Sequence, residues 1–274
     1  MRPSGDRRIR SAPGPLRTPG DTGAPGTRQP PVATGPPRVP RRTRVPGASV
    51  AAVAAPVLDM VFPQHCVACG RAAPGDVPLC DRCRSALRPL EGPQCAICGV
   101  PLVSEHGRCV RCRSRDLHYD RHRSVFAYSG VAKQLIIAYK FGGQARLAGL
   151  LCTHLAPLIP HATVVVPVPA SRRGRRRRGY DQVLRLAAAL ERHHGIPVLS
   201  ALTRRRGREQ KQLDFDERSR NLAGAIELAR RVTVPHHVVL LDDVFTTGAT
   251  VNECARVLRR AGAGRIEAVT LVAD

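Results

Sequence analysis

The sequence predicts an α/β protein in which a small cysteine-rich domain precedes a parallel-sheet domain. Strand-like and helix-like runs alternate from Arg123 onward, which is typical of a parallel sheet with crossover helices. Residues 238–241 are apolar without alternation, as in a strand covered on both faces. Four Cys-x-x-Cys pairs lie upstream of that region. The expected divisions are a disordered extension over 1–56, the cysteine-rich domain over 57–118 and the α/β domain over 119–274.

The first 50 residues differ in composition from the rest of the chain. They contain ten Arg and two Asp, a net +8 of the total +23, among many Pro, Gly and Thr residues. Such a segment is expected to be disordered, although a start codon assigned too far upstream would also account for it. The Ala-Val run at 48–57 is short and interrupted by Pro56, so we do not interpret it as an export or transit signal. No run approaches the ~20 apolar residues that cross a bilayer, and we expect a cytoplasmic protein without membrane insertion.

The paired cysteines predict two metal sites. A gap of two residues lets both thiolates of a turn face one ion, and two such turns complete a tetrahedral four-cysteine zinc site. Short loops close at the least entropic cost, so successive pairs should combine into two structural zinc sites that resemble a double zinc ribbon. The alternative is a disulfide or redox module. The first predicted site comprises Cys66, Cys69, Cys80 and Cys83, and the second comprises Cys95, Cys98, Cys109 and Cys112.

The remaining cysteines suit a different environment. Cys152 and Cys254 lie in helical apolar patterns and are predicted to be core residues. Catalytic zinc is not expected, because four thiolates leave no open position for water or substrate.

Hydrophobic periodicity gives the order of elements in the α/β domain. The alternation implies parallel strands joined by right-handed crossovers, followed by a long polar loop and then the strand at 238–241 with its helix. The predicted strands lie at 124–128, 163–168, 198–202 and 265–272, and the predicted helices lie at 131–141, 146–158 and 181–194.

The segment 238–250, VVLLDDVFTTGAT, carries the clearest chemical signal. Asp242 and Asp243 follow the apolar strand at the sheet edge where α/β proteins bind ligands. Adjacent carboxylates resist burial unless donors occupy them, and vicinal ribose hydroxyls are such donors. The alternative is that the two acids merely end a strand and cap a helix. The following turn can hold a phosphate with its backbone N–H groups and hydroxyls, and it comprises Thr246, Thr247, Gly248, Ala249 and Thr250.

This segment resembles the phosphoribosyl pyrophosphate signature of type I phosphoribosyltransferases, and further segments make the chain similar to the ComF family. The resemblance extends over roughly 57–274. The supporting segments are VLDMVFPQHCVACG at 57–70, YKFGG at 139–143, VVPVP and RRGYDQ between 165 and 182, and QKQLDFDERSRNLAGA at 210–225.

The resemblance implies further site residues. The loop after the strand at 163–168 would bind pyrophosphate, and the long loop at 204–221 would close over the substrate through Arg218 and exclude water. The family more often has His at the position of Ser171 and Asn at that of Asp181. The alternatives are a solvated basic surface around 172–178, and a capping role for Arg218 and Asn221. The implied pyrophosphate contacts are Pro169, Ala170, Ser171, Arg172 and Arg178.

The resemblance also implies an activity. The chain would bind phosphoribosyl pyrophosphate with Mg²⁺ and transfer the phosphoribosyl group to an unidentified acceptor, with Asp242 and Asp243 positioning the ribose. The alternative is a non-catalytic accessory protein that binds single-stranded or double-stranded DNA in competence and senses the metabolite. An aromatic content of 3% with no Trp disfavours extensive base stacking.

Overall fold

A four-stranded parallel sheet forms the centre of the computed structural model, which describes residues 64–73, 75–103, 107–205 and 224–274. The strands are β1 (Arg121–Ala127), β2 (Val164–Pro167), β3 (Leu202–Arg204), β4 (Ile226–Leu228), β5 (His237–Phe245) and β6 (Arg265–Ala273). The order in the parallel sheet is β1-β6-β5-β2, and a separate antiparallel pair is formed by β3 and β4. This arrangement confirms the predicted fold class.

Helices cover both faces of this sheet and provide short turns in the cysteine-rich segment. Asp181 caps the helix that starts at Gln182 by accepting hydrogen bonds from Val183 N and Leu184 N, and Gly195 ends that helix with a φ of +64°. A 3₁₀ turn at Ala156–Leu158 follows α4. The helices are α1 (Asp81–Ser85), α2 (Val110–Arg113), α3 (Gly130–Phe141), α4 (Leu147–Leu155), α5 (Arg172–Arg178), α6 (Gln182–His194) and α7 (Ala249–Arg260).

The central strand β5 is buried on both sides, which explains its unbroken apolar run. Val239 and Leu241 pack into the core that contains α4 and α6. Val238 and Leu240 pack into the opposite core, which contains α7. All four side chains are at most 1% exposed. Burial of each one contributes roughly 1.5–3 kcal/mol, so β5 anchors the residues at its carboxyl end firmly.

Two predicted strands and one segment without a predicted element differ from the structure. Val198 forms only a single parallel bridge to Val165, and β3 begins at Leu202 and pairs outside the parallel sheet. Strand β5 continues to Phe245, so the two acids lie inside it and not after it. The basic run after Ser171 forms α5, because the Ser171 side chain caps the helix by accepting from Gly174 N at 3.0 Å.

Two predictions concern segments that the structure does not describe. The expected disorder of residues 1–56 lies outside the described residues, and so does most of the predicted lid, including Arg218. Among the described helices, none has the length and apolar character required to cross a membrane.

Candidate functional site

Three distant segments of the chain meet at the carboxylate of Asp243. Lys140 Nζ lies 3.0 Å from Asp243 Oδ1, and Gln182 Nε2 donates a hydrogen bond of 2.8 Å to Asp243 Oδ2. Asp243 and Gln182 are each only 4% exposed. A buried carboxylate requires such partners, because an unpaired charge away from water is strongly disfavoured. Lys140 and Gln182 therefore belong to the site, although sequence reasoning did not select them.

Two tyrosines fix the helices that supply these partners. Tyr139 is fully buried, and its hydroxyl donates to Gln182 O at 2.7 Å. The Tyr180 hydroxyl donates in turn to Tyr139 O. The two hydrogen bonds join the carboxyl-terminal half of α3 to the start of α6, so Lys140 and Gln182 reach Asp243 from a rigid support.

Gln182 also presents an unused acceptor. Its Oε1 atom is buried and receives no hydrogen bond from any described residue. The amide orientation follows from its neighbour, since only the NH₂ group can donate to the Asp243 carboxylate. A buried acceptor without a donor is costly, so this atom is suited to a hydroxyl or a water held by a ligand.

Asp242 has a different environment from its neighbour. It is half-buried, and its Oδ1 accepts a hydrogen bond from Asp243 N at 2.8 Å. Burial, with the negative charge of Asp243 as the second cause, raises the pKa of Asp242 from 3.8 to about 7. Among the described residues, no cation forms a salt bridge with its carboxyl group, in contrast to the Lys140 pair of Asp243. Asp242 is therefore the acid better placed to accept hydrogen bonds from a ligand.

The turn after β5 requires glycine at one position for two reasons. Gly248 has a φ of +81°, in the left-handed region that other residues avoid. A Cβ added there would lie 2.7 Å from Phe245 Cζ. Thr247 Oγ1 accepts from Ala249 N at 3.4 Å and tightens the turn. The predicted phosphate turn thus leads directly into the first N–H groups of the twelve-residue helix α7.

The second predicted loop lies beside the first. Pro167 pairs with Leu241 in the sheet, and Val168 N donates to Leu241 O at 2.9 Å. This contact places Pro169 and Ala170, both half-buried, next to the strand residue that precedes Asp242. The structure therefore brings the two predicted anion-binding loops to one edge of the sheet.

Arg178 lies at the end of the helix that follows this loop. Its guanidinium folds back over Gly174, where an added Cβ would be 2.5 Å from Nη2 and 3.0 Å from Ser171 Oγ. Its buried Nε makes no hydrogen bond to any described residue. Arg178 thus lies close to Ser171, whereas Arg172 is exposed.

The two departures from the family pattern have structural roles. Ser171 caps α5, and Asp181 caps α6 by accepting from Val183 N at 3.1 Å and Leu184 N at 3.2 Å. Asp and Asn are similarly good caps, so Asp181 preserves the start of α6.

The eight paired cysteines form two clusters, and the grouping is the predicted one. Within each cluster the four Sγ atoms lie within 4.8 Å of one another. Four thiolates at this separation fit a tetrahedral zinc ion. Cys69 and Cys80 Sγ lie 3.6 Å apart in the first site, and Cys98 and Cys109 Sγ are separated by the same distance in the second. Both sites therefore fit a structural zinc.

One thiol in each site already favours the thiolate that zinc requires. Burial tends to raise the pKa of Cys66 and of Cys95, but backbone N–H donors outweigh it and lower each pKa to about 6. Cys152 and Cys254 are fully buried in the two cores, which confirms their prediction as core residues.

Known proteins are similar to the cysteine-rich segment and to most of the chain as a whole. The Double zinc ribbon domain family matches residues 57–113. Competence protein ComFC of Bacillus subtilis is 28% identical over 215 residues, which cover 72% of this chain and 85% of that protein. Competence protein F of Haemophilus influenzae and DNA utilization protein YhgH of Escherichia coli K12 are each 32% identical, and each match covers 69% of this chain and 87% of the relative.

Part of the chain is also similar to a solved structure. The glutamine phosphoribosylpyrophosphate amidotransferase of B. subtilis, complexed with ADP and GMP, matches with a TM-score of 0.35 and 21% identity. The match covers 49% of this chain and 30% of that one.

Proposed function

The chain belongs to the ComF family, and from this premise we propose that it is a phosphoribosyltransferase that binds phosphoribosyl pyrophosphate with Mg²⁺. It would transfer the phosphoribosyl group to an acceptor base and release pyrophosphate. One observation carries the proposal. Asp242, which forms no salt bridge with a described residue, and Gln182, whose Oε1 is an unused acceptor, are both hydrogen-bonded to Asp243, shortly before a glycine turn suited to phosphate.

The two acids have separate roles in this proposal. Asp242 accepts hydrogen bonds from the vicinal ribose hydroxyls, in addition to the one that it accepts from Asp243 N. Asp243 is held by Lys140 and Gln182, so it positions the Gln182 acceptor and contributes negative charge beneath the sugar. With both acids ionised, the net charge of Asp242, Asp243 and Lys140 is −1. That charge stabilises the positive charge that develops on the ribose ring as the bond to pyrophosphate breaks.

The two loops bind the two charged ends of the substrate. The turn from Thr246 to Thr250 holds the 5′-phosphate at the start of α7, where backbone N–H groups and the helix dipole favour an anion. Pro169, Ala170, Ser171 and Arg172, together with Arg178, receive the pyrophosphate, and the unused Nε of Arg178 provides a donor.

Mg²⁺ fits this arrangement, because hard cations prefer carboxylate and amide oxygens and often retain several waters. Asp242 and Gln182 Oε1 are the described oxygens suited to such hydrated contacts. When bound with the substrate, the ion would neutralise charge on the pyrophosphate oxygens.

The chemical step is a substitution at the anomeric carbon. The bond from C1′ to the pyrophosphate oxygen breaks, and its electron pair leaves with pyrophosphate. The lone pair of the acceptor nitrogen then forms the new bond to C1′, and the proton on that nitrogen is released to solvent. Arg218 and the rest of the predicted lid would exclude water at this stage, because water would otherwise capture the electron-deficient sugar.

The test combines binding with turnover. Titration calorimetry would measure binding of ribose 5-phosphate and phosphoribosyl pyrophosphate with Mg²⁺, and pyrophosphate release would be followed over a panel of purine and pyrimidine bases. Asp242→Asn should reduce release by at least about 100-fold. Glu227→Gln, at an exposed ion pair on β4, removes one carboxylate away from the site and serves as the control. If wild-type protein binds neither sugar phosphate, the proposal is wrong.

A second candidate is an accessory protein that binds DNA and senses the metabolite without turnover. It is supported by the competence and DNA-utilization names of the relatives and by four exposed arginines on α5. Arg177 also stacks over Phe141 at 4.8 Å, and that ring is 54% exposed. DNA affinity that falls steeply with salt, together with sugar-phosphate binding but no pyrophosphate release with any base, would favour this candidate. The exposed arginines are Arg172, Arg175, Arg176 and Arg177.

A further inference from the structure

His122 joins the second cysteine site to the central sheet. The residue is fully buried, and its backbone N–H donates to Ile97 O at 2.6 Å. Its ring Nδ1 donates to Cys98 O at 2.7 Å, since a carbonyl oxygen can only accept. Its Nε2 lies 2.9 Å from Thr270 Oγ1 on β6. The turn that carries Cys98 is thus held by two hydrogen bonds from His122, one from its backbone and one from its ring, and the ring also contacts β6.

The same ring extends this connection to the phosphate turn. The His122 and Phe245 rings stack with centroids 3.8 Å apart and planes within 15°. Phe245 in turn contacts Gly248 so closely that no Cβ could be added there. Tyr119 packs edge-on against Phe245 with a centroid distance of 6.5 Å. The Phe245 ring therefore lies between the support of the cysteine site and the turn that would bind phosphate.

A second connection runs through the segment that follows α2. His118 N donates to Asn252 Oδ1 at 2.7 Å, and Asn252 Nδ2 donates to Asp116 O at 3.3 Å. Farther along α7, Arg259 Nη2 pairs with Asp120 Oδ1 at 2.6 Å. Asn252 lies in the first turn of α7. The segment leaving the second cysteine site thus holds the helix whose start would bind the phosphate.

Among the described residues, the first cysteine site has no comparable connection to the phosphate turn. Cys66 and Cys83 belong to the core on the opposite face of the sheet, together with α4 and α6. Cys95, Cys98 and Cys112 share a core with Phe245 and α7. The two sites have the same ligands and similar loops, but only the second adjoins the phosphate turn in the described part of the chain.

We propose that zinc in the second cysteine site sets the geometry of the phosphate turn, with His122 and Phe245 as positioning residues. The inference rests on the proposed function, because it takes the turn from Thr246 to Thr250 as the phosphate site. Zinc would fix the Cys98 turn, which fixes the His122 ring through its hydrogen bond. The stacked Phe245 ring then packs against Gly248 and holds it in place. Loss of zinc from this site would release the ring and widen the turn.

The test compares matched ligands of the two sites. Cys112→Ser and Cys83→Ser each remove a buried cysteine that is the last ligand of its site. Zinc content, ribose 5-phosphate affinity and hydrogen exchange of residues 245–252 would be measured for both variants. Each should lose about one zinc, and Cys112→Ser should weaken sugar-phosphate binding about tenfold more than Cys83→Ser and accelerate exchange in 245–252. Equal effects of the two variants on affinity and exchange would overturn the inference.

A second variant keeps both zinc sites intact. His122→Phe preserves a ring for stacking but removes the ring's hydrogen bonds to Cys98 O and Thr270 Oγ1. It should retain two zincs per chain, weaken ribose 5-phosphate binding several-fold and accelerate exchange in 245–252. Wild-type affinity and exchange in this variant would also overturn the inference. If the wild-type chain binds no sugar phosphate, the proposed function fails, and the exchange measurements still decide the connection between the zinc site and the turn.

Discussion

Lys140 Nζ and Asp243 Oδ1 lie 3.0 Å apart, with side chains that are 19% and 6% exposed. This pair explains how the chain retains two adjacent acids in a largely buried position. The lysine neutralises Asp243, and Gln182 occupies its other oxygen. Asp242 forms no salt bridge in the part of the chain that the structure describes, and it is available to a ligand. Three family segments that are far apart in sequence thus meet around one carboxylate.

Replacement of Lys140 by Met should strongly destabilise the protein. The change keeps most of the side-chain volume but leaves Asp243 buried without its cation, and breaking such a pair costs about 3–5 kcal/mol. Lys133→Met on the same helix is the control, since Lys133 is exposed and lies over the Tyr128 ring at 5.7 Å. Urea denaturation would measure the free energies of unfolding. A similar, small loss for both variants would show that the buried pair does not support the site.

The contrast between what the sequence predicts and what it misses is clear at Asp243. The apolar run of β5, the glycine turn and the zinc ligands could be predicted, because each signal lies within a few consecutive residues. The partners Lys140 and Gln182 are 103 and 61 residues away, and no local pattern shows that they approach one carboxylate. The sequence indicates these two residues only through the family segments YKFGG and RRGYDQ, which contain Lys140 and Gln182.

Other differences also have physical causes. Six arginines between positions 172 and 178 indicate a solvated surface, and the capping hydrogen bond of Ser171 that makes the segment a helix is a single contact. The short strand β3 finds its partner β4 across a long polar loop, so its pairing depends on tertiary structure.

Stability should depend on pH through Asp242. Its pKa is raised above that of the unfolded chain, so the folded state binds the proton more tightly. The stabilisation is complete below pH 3.8 and is lost as pH rises through about 7. Relative to wild type, Asp242→Asn should therefore become more stable as pH increases from 5.5 to 8.5, by at most about 2 kcal/mol, which is the full effect of the raised pKa over this interval. Urea titrations at several pH values test this, and a difference independent of pH would contradict it.

Binding should show the opposite trend with pH. The ionised carboxylate of Asp242 is the form that accepts two hydroxyl hydrogen bonds, so ribose 5-phosphate affinity should increase as pH rises through about 7. Calorimetry with wild type and Asp242→Asn separates this effect from ionisation of the phosphate, which both proteins share. An equal slope in the two proteins would assign the dependence to the ligand alone.

Substitution of Gly248 by Ala should disrupt the phosphate turn. The left-handed backbone alone costs an Ala residue about 1–2 kcal/mol, and here the new Cβ would also meet the Phe245 ring at 2.7 Å. Gly195→Ala is the control, because its φ is +64° and nothing lies within 4 Å of an added Cβ. Gly248→Ala should lose about 2 kcal/mol more than the control in urea denaturation and should weaken ribose 5-phosphate binding. Equal losses of unfolding free energy in the two variants would mean that the Phe245 ring moves to make room for the added Cβ.

The helix cap at Asp181 predicts the effect of Asn, the residue that the family more often has at this position. Asp181→Asn should be nearly neutral in thermal unfolding, because Asn accepts the same hydrogen bonds from Val183 N and Leu184 N. Asp181→Ala should cost about 1 kcal/mol and loosen the support of Gln182. A large loss with Asn would indicate that the negative charge, and not the cap, is the important feature of Asp181.

Metal analysis of freshly purified, reduced protein should return about two zincs per chain, because each cysteine cluster places four Sγ atoms within 4.8 Å of one another. The first cluster contributes Cys66 and Cys83 to one core, and the second contributes Cys95, Cys98 and Cys112 to the other. Removal of zinc by a chelator should therefore weaken packing on both faces of the sheet, with on the order of 10 kcal/mol of folding free energy linked to each ion. Circular dichroism and thermal unfolding before and after chelation would measure this effect. Disulfide-linked protein without metal would contradict the zinc assignment, and zinc loss without any change in unfolding would show that the ribbon folds independently of its ions.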